Sequence, residues 1–178
     1  NPLFDYALME ILDAKRPGSK QFAKDYTYED RAQIYGWLAM LAAMDENILS
    51  TVMFDSNGRR FYLHDSTTTF DEGRIIRDTR ALHGASLISE PHYNKDGNIV
   101  FCISRSMINP ANFKESATLL VYFRLDFLEH SSGEGASDSV HVKLIDKDRR
   151  ILMDRDRSNV GQVLALDDAS ISYAVYHS

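Results

Sequence analysis

Two short stretches carry the residue types of a cation loop. Asp55 and Asn57 stand two apart, as the oxygen ligands of calcium do, and Asp146 and Asp148 repeat that spacing. Such a loop needs glycine at its sixth position and an acidic residue at its twelfth. The first has Arg60 at position six, and the second has Ile151 there and Arg157 at position twelve, so both read as turns. The histidines, His64, His83, His92, His130, His141 and His177, show no metal-ligand spacing. The single cysteine, Cys102, excludes an internal disulfide and a cysteine-based zinc site. It lies between Phe101 and Ile103, where a thiol behaves as a small buried hydrophobe. A Gly-x-Ser-x-Gly elbow, a phosphate-binding glycine loop and a His-Glu-x-x-His helix are all missing. The sequence therefore predicts no catalytic residue, no metal and no cofactor.

With 178 residues, of which 44% are hydrophobic and 26% charged, the chain can bury a real core. Acidic residues outnumber basic ones 26 to 20, giving a net charge of −6. That balance disfavours nucleic acid, whose phosphates select clustered Lys and Arg. The segment Asp146 to Arg157 mixes four aspartates with five basic residues and largely neutralises itself, as a solvated hairpin end does. The longest nearly apolar run, Tyr35 to Met44, is ten residues, well short of the roughly 20 that span a bilayer. No basic and then apolar leader opens the chain, and its start at Asn1 suggests a piece excised from a longer protein.

Asn1 and Pro2 suit a helix start, and Phe4, Leu8, Ile11 and Leu12 continue at helical spacing to Arg16-Pro17-Gly18. Thr27 is expected to cap a second helix, with Glu29 and Asp30 at its positive end and Ile34, Trp37, Leu38, Leu41 and Met44 as its apolar stripe. Gly36, inside that helix, is read as a point of close packing. From Ile48 the pattern turns to β. Leu49 to Phe54 and Arg59 to His64 form a hairpin about Asn57-Gly58. A polar loop, 65–69, precedes a short helix around Asp71 to Leu82 that Gly84 ends. Strands follow over Ser86 to Tyr93, Asn98 to Ile108 and Thr118 to Leu128, the last apolar on both faces as at a covered sheet centre. The Ser/Gly-rich stretch 131–139 reads as a linker. Beyond it Val142 to Met153 repeats the earlier hairpin form with a shorter turn.

This α+β order resembles the extracytoplasmic Cache domain, the PAS-like PDC fold of bacterial sensor histidine kinases, chemoreceptors and diguanylate cyclases. Three stretches carry the resemblance. Asn47-Ile48-Leu49-Ser50-Thr51-Val52-Met53-Phe54-Asp55-Ser56-Asn57-Gly58 looks like the family's first strand. Ile88-Ser89-Glu90-Pro91-His92-Tyr93 with Asn98 to Met107 looks like its third and fourth. Leu144 to Leu152, followed by Asn159-Val160-Gly161-Gln162-Val163-Leu164, looks like the start of a membrane-proximal module. The helical lead-in is most similar to YesM-type sensor kinases, which commonly work beside AraC-type response regulators. The resemblance implies a central antiparallel sheet led by long N-terminal helices (1–46), a membrane-distal sensor module (47–130), the linker (131–139) and a smaller, shortened module (140–178). Many family members grip an amino-acid carboxylate with an Arg-x-Trp-Tyr motif before the third strand. Here that region reads Arg77-Asp78-Thr79-Arg80-Ala81-Leu82, so the resemblance does not carry amino-acid binding to this chain.

What it implies is a non-catalytic ectodomain outside the cytoplasm, anchored to a membrane in its parent, compatible with a homodimer and sensing a small polar molecule. The expected ligand-binding residues are Arg77, Tyr93, Arg105 and Tyr122. Arg77 would pair with an anionic group, Arg105 leaves the fourth strand near its end, and the two tyrosines offer ring faces with polar tips. Each also fits a structural role at a salt bridge or core edge. The alternative is an interaction module that binds a protein or a cell-wall component. A buried cleft holding Arg105 or Arg77 favours the sensor, whereas a large exposed apolar patch favours the interaction module.

Overall fold

The computed structural model describes residues 6–18, 25–64, 70–96, 98–124, 143–145, 148–154 and 156–164. The Asn1 cap, the loop 65–69, residues 125–128 of the fifth expected strand and the linker 131–139 lie outside them. The chain divides into two compact units, Asn1–Phe127 and Leu128–Ser178.

In the first unit, α1 (Tyr6–Ala14) and α2 (Tyr28–Ala42) precede β1 (Ile48–Asp55) and β2 (Arg60–Leu63); then come α3 (Glu72–Ala81), β3 (Ser86–Ile88), β4 (His92–Tyr93), β5 (Ile99–Asn109) and β6 (Lys114–Arg124). The strands form one antiparallel sheet in the order β2-β1-β6-β5-β3, and β4 also pairs with β5. The expected third strand is two pieces: Ser89 still donates its amide to the Cys102 carbonyl at 2.8 Å, and the pairing lapses over Glu90 and Pro91, the latter having no N–H to give to a ladder.

Local chemistry sets the element ends. The Thr27 hydroxyl accepts from the Asp30 amide at 3.1 Å and the Asp30 carboxylate accepts from the Thr27 amide at 2.9 Å, a reciprocal cap on α2. Ile34, Trp37, Leu38 and Leu41 are its buried stripe. Met44 lies beyond the helix end and is exposed, and nothing stands within 4 Å of a Cβ built on Gly36. The expected close packing at Gly36 is absent because that position faces solvent. Asp55 closes the β1–β2 turn: its Oδ1 accepts from the amides of Asn57 and Arg59, both at 2.8 Å, and Gly58 takes a φ of +79°. Both acceptor bonds mark a turn, as expected for a loop without the calcium glycine.

Side chains alternate across the sheet, and each face has its own cover. On one, Met53, Phe61, Met107, Ala117 and Leu119 pack against Leu8, Met9 and Leu12 of α1 and the α2 stripe. On the other, Val52, Cys102, Leu120 and Tyr122 pack against Ile75 of α3, with Phe54, Phe70, Ile76 and Leu87 around them. β6 is apolar both ways because it sits at the sheet centre between β1 and β5.

The second unit contains a hairpin of β7 (Leu144–Ile145) and β8 (Ile151–Met153), then a 3-10 turn at Arg157–Asn159. Lys143 pairs with Asp154, which also accepts from the Asp156 amide and Asn159 Nδ2. Burial raises the Asp154 carboxyl, but these donors outweigh it and hold the group below its ordinary value.

Candidate functional site

The register decides which candidate residues share a face. Cys102 lies opposite Tyr122, Ser104 opposite Leu120, and Arg105 opposite Leu119. Tyr122 therefore projects to the α3 face and Arg105 to the helical face, where Leu119 packs. These two cannot line one pocket. Arg105 also lies inside β5 instead of near its end. Arg77 lies on the outer side of α3, its side chain 75% exposed and 3.9 Å from Asp78. Tyr93 pairs with Ile99 in the ladder; its side chain lies outside what the structure describes.

The α3 face carries polar groups where packing alone would use apolar ones. Tyr122 is fully buried, and its hydroxyl donates to Glu72 Oε1 at 3.1 Å while its ring lies 5.1 Å from that of Phe70. Glu72 in turn receives both Nε and a terminal nitrogen of Arg60 at 3.1 Å, a forked pair. Toward the far end of α3, Thr79 and Ser104 share a hydrogen bond of 2.6 Å. Beyond them Glu115 accepts from Arg80 Nε at 2.7 Å, Ser106 Oγ at 3.0 Å and Thr118 Oγ1 at 3.2 Å.

Glu115 reaches this face through an irregularity. The β5–β6 register slips between Met107 and Ile108, so that Ala117 pairs with Met107 and Glu115 with Ile108, leaving Ser116 without an opposite residue. Strict alternation would place Glu115 with Ala117, on the helical side. Glu72, Thr79, Arg80, Ser104 and Glu115 were not singled out from the sequence. The one signal available was the concentration of charge in α3. Cys102 is buried on the same side, and burial, with a smaller push from Glu72, raises its thiol well above the ordinary value.

On the helical face a cleft of about 70 Å³ opens between α1, α2 and β5. Met9, Trp37, Met107 and Leu119 make it largely apolar, and Arg105 and Gly84 stand together where Arg105 Nε donates to the Gly84 carbonyl at 2.8 Å.

No protein-family model and no curated protein matches the chain. Solved structures do. The ligand-binding domain of the Pseudomonas aeruginosa PAO1 amino acid chemoreceptor PctC, in complex with GABA, aligns with a TM-score of 0.58 at 15% identity, over 89% of this chain and 70% of that one. The corresponding domain of the Pseudomonas fluorescens chemoreceptor CtaA, in complex with L-isoleucine, aligns with a TM-score of 0.58 at 15% identity, over 91% and 62%. That of the P. aeruginosa chemoreceptor PctB with L-Arg gives 0.57 at 16% identity, over 89% and 64%. The chain has their Cache-type fold. It spans less than two thirds of the CtaA and PctB domains. All three are chemoreceptor domains, so the Cache-type architecture stands while a YesM-type kinase parent does not follow from them. Among the described residues no helix is long and apolar enough to cross a membrane.

Proposed function

We propose that the chain is the extracytoplasmic ligand-sensing part of a bacterial membrane receptor, non-catalytic in itself, which binds a small polar molecule on the α3 face of its sheet. A sensor histidine kinase of YesM type is the proposed parent, and a chemoreceptor is the other parent that the solved neighbours suggest. The observation that carries the reading is the polar row beneath α3, set within a fold shared with ligand-binding domains. Thr79 and Arg80 of α3, with Ser104, Ser106, Glu115 and Thr118 of the β5–β6 pair, supply hydroxyl, cationic and anionic partners. A ligand carrying both an acid and an amine can exchange partners with that ion pair. GABA, L-isoleucine and L-Arg, held by the neighbours, belong to that class. In place of the missing Arg-x-Trp-Tyr motif, Arg80 is the cation paired with Glu115 at the far end of α3, while the sequence candidate Tyr122 lies toward the start of that helix with Glu72 and Arg60. Signalling then requires the ligand to prefer one arrangement of the domain over another, since only differential affinity moves an equilibrium.

The cleft holding Arg105 supports small-molecule sensing over the interaction-module alternative, whose expected mark is a broad exposed apolar patch. Calorimetry and thermal shift against amino acids, GABA and related amines test the reading. At least one compound is expected to bind, and Glu115→Gln to weaken it on the order of ten- to hundredfold, the loss of a charge-assisted contact. A panel without a binder, or binding unaffected by both Glu115→Gln and Tyr122→Phe, removes the α3 face as the site.

A further inference from the structure

α2 has a second apolar face. Its buried stripe packs toward the sheet, yet from Ala32 to Met44 no residue is charged, in a chain where 26% of residues are. A surface helix sets charged and polar side chains opposite its core stripe, and a helix apolar all round is covered on both sides. The outer face of α2 instead shows Tyr28, 84% exposed, with Tyr35 and Met40, and just past the helix end Met44, 61% exposed. The strip is one helix wide, so it fits another helix of matching relief.

Relief and charge both name that helix. At helical spacing Tyr28 and Tyr35 rise on one flank of the N-terminal half, and toward the C-terminus the exposed surface falls to Ala39 and Ala43. Met40 rises on the other flank of the C-terminal half, with the exposed Ala32 below it. Turned end for end about the middle of α2, a second copy sets its Tyr35 at the level of Ala39 and its Met40 at the level of Ala32, so bulky groups meet small ones. The ends of the helix agree. Asp45 and Glu46 are exposed just beyond its C-terminus, whereas at its N-terminus Glu29 and Arg31 cancel and leave the positive end of the helix dipole. An antiparallel pair sets each acidic end against the other copy's positive end; a parallel pair sets acid against acid. We infer that a second copy of this chain docks on the outer face of α2, with the two helices antiparallel.

Sedimentation velocity of the whole chain over roughly 1 µM to 1 mM is the first test. It is expected to show a reversible monomer–dimer equilibrium with a dissociation constant on the order of 10 µM, as suits an interface one helix wide. Met40→Glu and Ala39→Lys are each expected to weaken the dimer at least about tenfold, since each buries a charge in an apolar contact. Both positions are exposed in the single chain, so the thermal midpoint of the monomer is expected to move little. Cross-linking reads the orientation. The native Cys102 is buried, and chains carrying Ala32→Cys are expected to join chains carrying Met40→Cys faster than either joins its own kind. A monomer at every concentration overturns the inference and leaves the face to another segment or a different protein. A dimer that neither Met40→Glu nor Ala39→Lys weakens also overturns it, and Ala32→Cys chains that join chiefly to themselves overturn the antiparallel arrangement. Met40→Glu is expected to leave ligand binding at the α3 face intact, so the two readings fail separately.

Discussion

A buried carboxylate with several donors is a commitment of the fold, and Asp55 is fully buried. Two backbone amides hold its Oδ1, and Tyr26 Oη donates to its Oδ2 at 2.8 Å. Burial first, and then the Asp55 carboxylate beside it, raise the Tyr26 hydroxyl far above its ordinary value, so the phenol stays protonated and keeps donating. Tyr26→Phe leaves Asp55 Oδ2 without that donor and is expected to cost about 2 kcal/mol in urea unfolding. The neighbouring Asp30 behaves differently. Burial pushes its carboxyl up, but Lys15 Nζ at 2.9 Å and the Thr27 amide and hydroxyl outweigh that and hold it below 3.8. A carboxyl lowered in the folded state adds stability above its unfolded value, and that contribution disappears as pH falls through the folded one. Asp30→Asn is therefore expected to destabilise the protein at neutral pH and to flatten its acid-unfolding limb below about pH 4. An unchanged limb in pH-dependent denaturation removes Asp30 from this role.

At the scale of elements, Gly36 weakens α2 without compensation, since its position is open. Gly36→Ala is expected to stabilise by about 1 kcal/mol, read as a raised thermal midpoint. Periodicity showed the four buried positions of α2 but could not tell that Met44 falls past the last turn, because the C-terminal end carries no glycine or proline signal. Thr27 and Asn57-Gly58 were legible because each acts within a few residues: a hydroxyl on a nearby amide, a turn that needs positive φ. The candidate site was not legible in the same way. Whether Arg105 and Tyr122 face together depends on the β5–β6 register, which partners distant in sequence set. The slip at Ser116 then moves Glu115 across the sheet, and no feature of residues 114–118 announces it. Lys15 offers a similar lesson: it is buried because its ammonium finds the Asp25 carbonyl at 2.7 Å, Asp30 and the ring of Tyr26, partners the helix pattern does not reveal.

For the whole molecule, the first unit holds both apolar clusters, and the second unit rests on its own hairpin and the Lys143–Asp154 pair. The strand order of the first unit has a kinetic consequence. Ser104 meets Leu120 across 16 residues (120 − 104), whereas Val52 meets the same Leu120 across 68 (120 − 52). Closing the longer loop costs about 1 kcal/mol more in chain entropy, so the β5–β6 ladder has an early start and the β1–β2 hairpin docks afterwards. Stopped-flow refolding is then expected to show Cys102→Ala slowing the forward reaction and Val52→Ala chiefly hastening the reverse one. Until β1 arrives, one long edge of β6 stands bare, and its uncovered amides and carbonyls are the surface through which a nascent chain would pair with the wrong neighbour.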